Sequence, residues 1–269
     1  MRTYSLAYLT ANASTVPQAI RIAAELGYGY VGLRVQPNGP GAPFQTLIND
    51  AAVLRETQAV MRDTGVGVFD LEIIRIGEHF NVADHAALMD IGQTLSAKAV
   101  LVAADDTQES RLADNYARLC EVMQPYGLTA DLEFMPWTAV KDAKAAMRVI
   151  ALAGRPSNAG ILVDALHFGR SSTSLSDIAA IPRDLLHYAQ ICDAKAGLNF
   201  TTEELIHTAR QERLLPGEGD IDLQGLFTAL PSDLPISVEI VNLERSKPIG
   251  DLAWSKLSLN ASQKLLGDA

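Results

Sequence analysis

Four apolar segments in the second half of the chain are each broken by polar side chains at or near their ends. DLEF carries Glu133, and ILVDALH carries Asp164 with His167 three residues on. YAQICDAK carries Gln190, Asp193 and Lys195, and ISVEI carries Glu239. A carboxylate taken out of water is costly unless it is paired or bound to a metal. Taken singly, each of these acids reads equally well as a solvated segment end or a salt-bridge partner. Taken together, acids on successive segments that converge would repel one another, and a divalent cation is the simplest remedy. The set Glu133, Asp164, Gln190 and Glu239 is rich in oxygen donors. That suits Mg2+ or Mn2+, and less obviously Zn2+ or Co2+.

A second group of charged residues falls at the ends of other apolar runs. Arg34 ends YVGLR, Glu72 ends the next run and Arg75 follows it. With Lys195 and Arg213 they are candidates to hold a substrate carboxylate or phosphate. Surface solvation is the competing reading for each, and for Glu72 a salt bridge to an arginine. Arg75 and Arg213 stand out, the latter because it precedes the turn PGEG, which would either close over substrate or serve as a fixed connection. His79 lies just past the third run, near enough to reach such a site, but His79, His85, His187 and His207 all read first as surface or packing residues. Phe134, Trp137 and Phe168 are candidate pocket walls.

These residues need a frame that brings segment ends together. Strand-length apolar runs occur at Thr3–Leu9, Tyr28–Arg34, Val66–Ile73, Ala99–Ala103, Leu128–Phe134, Ala159–Val163, Tyr188–Cys192 and Ile236–Ile240. Between them lie helical patterns such as VPQAIRIAAEL, TLINDAAVLRETQAVMRDT, LADNYARLCEVMQPY and VKDAKAAMRVIAL. LGYGYV, DTGVGV, PYGLTA and RPSNAG supply Gly or Asn where a helix must end before a strand begins. Strands separated by helices imply parallel βαβ units, and eight of them imply an α/β (β/α)8 TIM barrel, with residues 1–269 as a single domain. The C-terminal ends of the strands would then share one mouth. A doubly wound open sheet is the structural alternative, weakened by the lack of a Gly-rich phosphate loop at the first strand–helix turn.

The 269 residues suffice for such a barrel, and nearly half are apolar. A formal net charge of −10 and a pI near 4.9, with no run of Lys and Arg, exclude an ordinary nucleic-acid surface. No apolar stretch is long enough for a membrane span, and the N-terminus lacks a secretory pattern. The only two cysteines, Cys120 and Cys192, suggest a reducing compartment rather than a disulfide framework, so a cytoplasmic location is expected. The longest connection, from Asp193 to Asp220, carries a short helical pattern, TTEELIHTARQ, and falls on the mouth side.

The segments LEFMPW, VDALHF, YAQICDA, LLPGEGDIDL and SVEI resemble the sugar-phosphate isomerase/epimerase group of xylose-isomerase-like TIM barrels. The similarity runs from SLAYLT to SVEI and is strongest in the second half. It implies one metal ion on Glu133, Asp164, Gln190 and Glu239, with Glu133 and Glu239 as acid and base from opposite faces of the substrate. The usual ligand on strand seven is His, so Gln190 is a departure, and it is similar to the branch containing bacterial 3-dehydroshikimate dehydratases. In a dehydratase the enolate would expel a β-hydroxyl, with His167 as the preferred acid or base. The expected activity is proton abstraction α to a carbonyl in a small hydroxylated, sugar-like substrate, neutral or anionic, by an isomerase or epimerase; the alternative is a dehydroshikimate-dehydratase-like lyase. An endonuclease-IV-like repair enzyme is a remote alternative, short of His ligands and too acidic, and a non-catalytic barrel is another. No nucleic-acid or membrane partner is expected; self-association into a homo-oligomer stays open.

Overall fold

A computed structural model describes residues 2–268. Eight parallel strands close into a barrel in sequence order: β1 (Tyr4–Leu6), β2 (Tyr30–Arg34), β3 (Gly67–Ile76), β4 (Ala99–Ala104), β5 (Thr129–Glu133), β6 (Ala159–Asp164), β7 (Ala189–Ile191) and β8 (Ile236–Val238). The last strand pairs with the first, through Ser5 opposite Ser237. The (β/α)8 fold anticipated from the alternating pattern is thus what the chain adopts, and the open sheet is excluded.

Among the described residues eleven α-helices accompany the strands: α1 (Val16–Leu26), α2 (Ala51–Thr64), α3 (Ala86–Thr94), α4 (Glu109–Met123), α5 (Ala143–Leu152), α6 (Ala165–Gly169), α7 (Leu175–Ala179), α8 (Thr202–Gln211), α9 (Leu223–Ala229), α10 (Leu243–Ser246) and α11 (Gly250–Leu266). Several start where a side chain satisfies the free amides of the first turn. Asp50 caps α2 and Asp142 caps α5, so both helices begin later than their apolar patterns do. The helix faces toward the sheet pack Ile20, Leu112, Leu119 and Val149 against outward strand residues such as Val31, Val100, Leu132 and Ile161. Burying one such side chain contributes about 1.5–3 kcal/mol. Cys120 and Cys192 are buried and unpaired. Among the described residues no helix is long and apolar enough to cross a membrane.

Two strands differ from their apolar runs. β1 stops at Leu6, because residues Tyr8–Ala11 turn into a short 3-10 helix. There the Thr10 hydroxyl donates to the Val238 carbonyl and accepts from the Ile240 amide, at 2.7 and 2.8 Å, pinning the end of β8. β3 runs on to Ile76, with an irregularity in its pairing to β4 between Glu72 and Ile74. That irregularity lets both Glu72 and Arg75 line the mouth.

The barrel interior is unusually polar. Asp70 and Asp131 are fully buried, as are the Tyr188, Ser5 and Ser237 hydroxyls. Two inward glycines make room for the acids. A Cβ on Gly32 would lie 2.9 Å from Asp70 Oδ1, and one on Gly160 would lie 2.1 Å from Asp131 Oδ1 and 2.5 Å from His187 Nδ1. Through the gap at Gly160, His187 reaches Asp131 at 2.7 Å.

Candidate active site at the barrel mouth

Each strand-end acid is placed by its strand. Glu133 is the last residue of β5, and Asp164 ends β6 while capping α6, its Oδ1 accepting from the Leu166 amide at 2.6 Å. Glu239 lies one residue beyond β8, its amide donating to the Ile191 carbonyl. His167 sits on α6 with its Nε2 3.5 Å from Glu133 and 4.0 Å from Asp164, and the edge of Trp137 packs on its ring. Glu133, Asp164 and His167 are close enough together to share a cation.

Arg213 ties in the fourth strand. Its guanidinium donates to Asp164 Oδ2 at 2.7 Å and meets Glu239 Oε2 at 2.8 Å, with all three side chains almost wholly buried. The arginine is held in turn from behind: its backbone amide donates to Val241 O, and Asn242 donates to its carbonyl. Gln190 stands in register with Asp164 on one side and Ser237 on the other, so its side chain faces the barrel interior next to the Asp164 position. It is fully buried, and both polar atoms of its amide lack a protein partner.

Electrostatics follow from this crowding. Burial, and then repulsion from Asp164 and Glu239, pushes the Glu133 carboxyl well above the ordinary range. Burial likewise raises Glu239, against the pull of Arg213. Asp164 moves the other way: burial would raise it, but Arg213 and His167 hold it down as the ionised acid. Burial also lowers the His167 imidazole to about 4, so it is neutral near pH 7. Three buried carboxyls thus face one buried guanidinium, beside an unpartnered amide oxygen on Gln190. Of these acids, Glu133 and Asp164, with His167, already lie close enough to share a cation, and their donors suit a divalent ion, whereas Glu239 rests on Arg213.

The substrate-side residues divide. Arg34 donates to Glu72 Oε2 through Nε at 3.2 Å and Nη2 at 2.7 Å, so Glu72 has the arginine partner weighed for it. Arg75 grips Asp105 through two nitrogens at 2.7 and 2.8 Å and donates to Asn38. Arg34, Glu72, Arg75 and Arg213 all line the mouth, a cavity of about 50 Å3. Lys195 does not. It lies beyond α8 on a separate cavity of about 550 Å3 with Arg170, Phe200 and His207. That cavity is larger but holds none of the strand-end acids, so the small mouth is the better candidate for chemistry.

The connection from Asp193 to Asp220 separates into two parts. Asp193 accepts from the amides of Gly217 and Gly219 on one oxygen and from Ala194 and Ile221 on the other, which fastens PGEG as a fixed connection. α8 lies across the mouth, which Ala209 and Arg210 help to line. Arg210 and Asn38 escape sequence reasoning, since nothing in TTEELIHTARQ marks one arginine of an exposed helix as inward. Of the other histidines, His79 is exposed and outside the mouth, and His85 stacks on Phe80. His187 is more than a packing residue, because it is the partner of Asp131.

The sequence profile of xylose isomerase-like TIM barrels matches residues 20–256. Among curated proteins, none matches the chain in sequence. The fold is shared with solved structures of low sequence identity. The IolI protein with a bound zinc atom is 17% identical, with TM-score 0.80 and 98% of each chain covered. The probable 3-DHS dehydratase AsbF from Bacillus anthracis is 13% identical, with TM-score 0.75 and 97% of this chain and 98% of that one covered. D-allulose 3-epimerase from Methylomonas sp. is 14% identical, with TM-score 0.68 and 98% of each covered.

Proposed function

The chain belongs to the xylose isomerase-like TIM-barrel family, and from that premise we propose that it is a divalent-metal-dependent isomerase or epimerase. It would remove a proton α to the carbonyl of a small hydroxylated compound. The observation that carries this reading is the burial of Glu133, Asp164 and Glu239 together at the mouth, with only the latter two paired to the buried Arg213 guanidinium. Solved structures with the same fold include a zinc-bound protein and an epimerase, which supports metal use and proton transfer as the chemistry to test first. The two buried, unpaired cysteines favour a cytoplasmic setting.

Glu133, Asp164, Gln190 and Glu239 would hold the ion. When bound, it supplies positive charge that acidifies the C–H beside the substrate carbonyl. The protein's own groups do the rest. Glu133 on β5 and Glu239 after β8 approach from different sides of the barrel, so one, as the carboxylate, would take the α proton while the other, as the carboxylic acid, would deliver its own proton to the opposite face. Arg213 holds Asp164 and Glu239 in place and keeps Asp164 ionised. Trp137 and Met135 wall the mouth and limit water.

A lyase of the dehydroshikimate-dehydratase type is the second reading, favoured by His167. Its imidazole is neutral, 3.5 Å from Glu133, and its buried Nδ1 has no partner. A neutral imidazole so placed can accept the α proton as a base and then hand that same proton to the departing β-hydroxyl, which leaves as water, a step epimerisation does not need. The fold shared with a probable dehydratase supports keeping this reading. Purified protein with its metal identified should be incubated in deuterated water with a ketose panel and, separately, with 3-dehydroshikimate. Deuterium at the α carbon of a ketose supports the epimerase, and an aromatic ultraviolet product supports the lyase. A metal-loaded protein that does neither sinks both substrate readings.

A further inference from the structure

One arginine in the mouth has no assigned work. Arg210 lies in the last turn of α8 and lines the mouth together with Arg34 and Arg75. The other two have carboxylate partners, Arg34 in Glu72 and Arg75 in Asp105. Arg210 forms no side-chain hydrogen bond and no ion pair among the described residues, although it faces two other guanidiniums. Partial burial, and then the like charge of Arg75 and Arg34, makes it harder to keep Arg210 protonated. A helix that places a third guanidinium there accepts repulsion that an arriving anion would relieve.

The mouth is also unevenly charged from side to side. Arg34, Arg75 and Arg210, with Asn38, outnumber the one acid beside them, Glu72 on β3, whereas Glu133 and Glu239 outnumber the one guanidinium beside them, Arg213, with His167 on the same side. Ile73, Leu101 and Met135 supply apolar surface to the same cavity. A bound molecule would therefore lie with a charged end among the arginines and its reacting carbon among the acids.

We propose that Arg210 is a specificity-determining residue that, with Arg34, binds an anionic group of the substrate remote from the carbon that loses its proton. The substrate class is then a small hydroxylated carbonyl compound bearing one carboxylate or phosphate, not a neutral sugar. This rests on the mouth being the place of reaction, as proposed above. Arg34 keeps its Nη1 free of the Glu72 bond, and Arg210 offers its whole guanidinium, so the two can grip an anion with charge-assisted hydrogen bonds.

The test compares charged and neutral ligands of like shape on the metal-loaded full chain by titration calorimetry. One pair is 3,4-dihydroxybenzoate and 3,4-dihydroxybenzamide, and the other is ribulose 5-phosphate and ribulose. In at least one pair the charged member should bind roughly tenfold more tightly or better, and which pair does so tells carboxylate from phosphate. R210Q should reduce that advantage to about threefold or less while leaving the neutral member unchanged, and R210K should restore part of it. The proposal is overturned if neither charged ligand is preferred by the wild type, or if R210Q weakens charged and neutral ligands equally. Deuterium exchange on the same preparations reads the proton-transfer function separately. Charge preference without exchange keeps this proposal and removes that function, and exchange without charge preference does the reverse.

Discussion

Arg213 contacts two acids from different strands at once, and its removal has a consequence opposite to that of removing a catalytic acid. In R213M, Asp164 and Glu239 lose their buried counter-charge, and stripping one partner from a buried ionic set costs about 3–5 kcal/mol. Urea unfolding of the chelator-treated variant should show that loss, and an added divalent ion should recover part of it. Unchanged stability would mean that the acids do not depend on the guanidinium. E133Q should instead leave stability near the wild type, because a carboxyl already pushed toward its protonated form loses little on becoming an amide. Its proton-exchange rate should fall roughly 10²–10⁴-fold, the usual contribution of a positioned acid or base. At this scale the sequence revealed most where polarity interrupts an apolar run, as at Glu133, Asp164 and Glu239. It revealed little where the partner is distant in the chain. Asp131 and His187 are 56 positions apart, and neither segment alone announces the pair.

Among the elements, β6 shows how a strand can be shaped by what it must let pass. Gly160 occupies an inward position where a methyl group would collide with both Asp131 and His187. G160A should cost about 1–3 kcal/mol, the usual range for overpacking, measured by chemical unfolding. The pair it accommodates also sets a pH dependence. Burial lowers the His187 pKa, but the Asp131 carboxylate outweighs it and the net shift is upward. A group raised on folding adds stability that is complete below its unfolded pKa, about 6.5, and disappears as pH climbs through the folded value. The thermal midpoint should therefore decline between about pH 6 and 8 in the wild type. H187Q should flatten that part of the profile, and a profile identical to wild type would remove His187 as its source. Element boundaries were less legible than element types. The run Thr3–Leu9 reads as one strand, yet the hydroxyl of Thr10 bonding across to β8 turns its second half into a 3-10 helix. Likewise α2 waits for the Asp50 cap rather than starting with the apolar pattern at Leu47.

For the molecule as a whole, the barrel was readable because parallel strands covered on both faces are nearly continuous apolar runs, and glycines mark the helix ends between them. The placing of α8 was not readable, because its amphipathic pattern fits any surface and only the closed barrel determines what lies beneath it. A divalent ion that binds only the folded barrel should raise the thermal midpoint. Stabilisation approaches about 2.7 kcal/mol at a hundredfold excess over the dissociation constant. A chelator should reverse it, and E133Q should weaken the response. An unmoved midpoint in Mg2+, Mn2+, Co2+ and Zn2+ would count against a metal on these residues. The site also has a division of labour with consequences for ancestry. The acids that would move protons descend from strands that cannot shift without undoing the barrel, whereas Arg210 comes from one helix in one connection between β7 and β8. Descendants of a common barrel can therefore vary that one helical position and acquire a new diet of substrates while keeping Arg213, three residues on, and the reaction it supports.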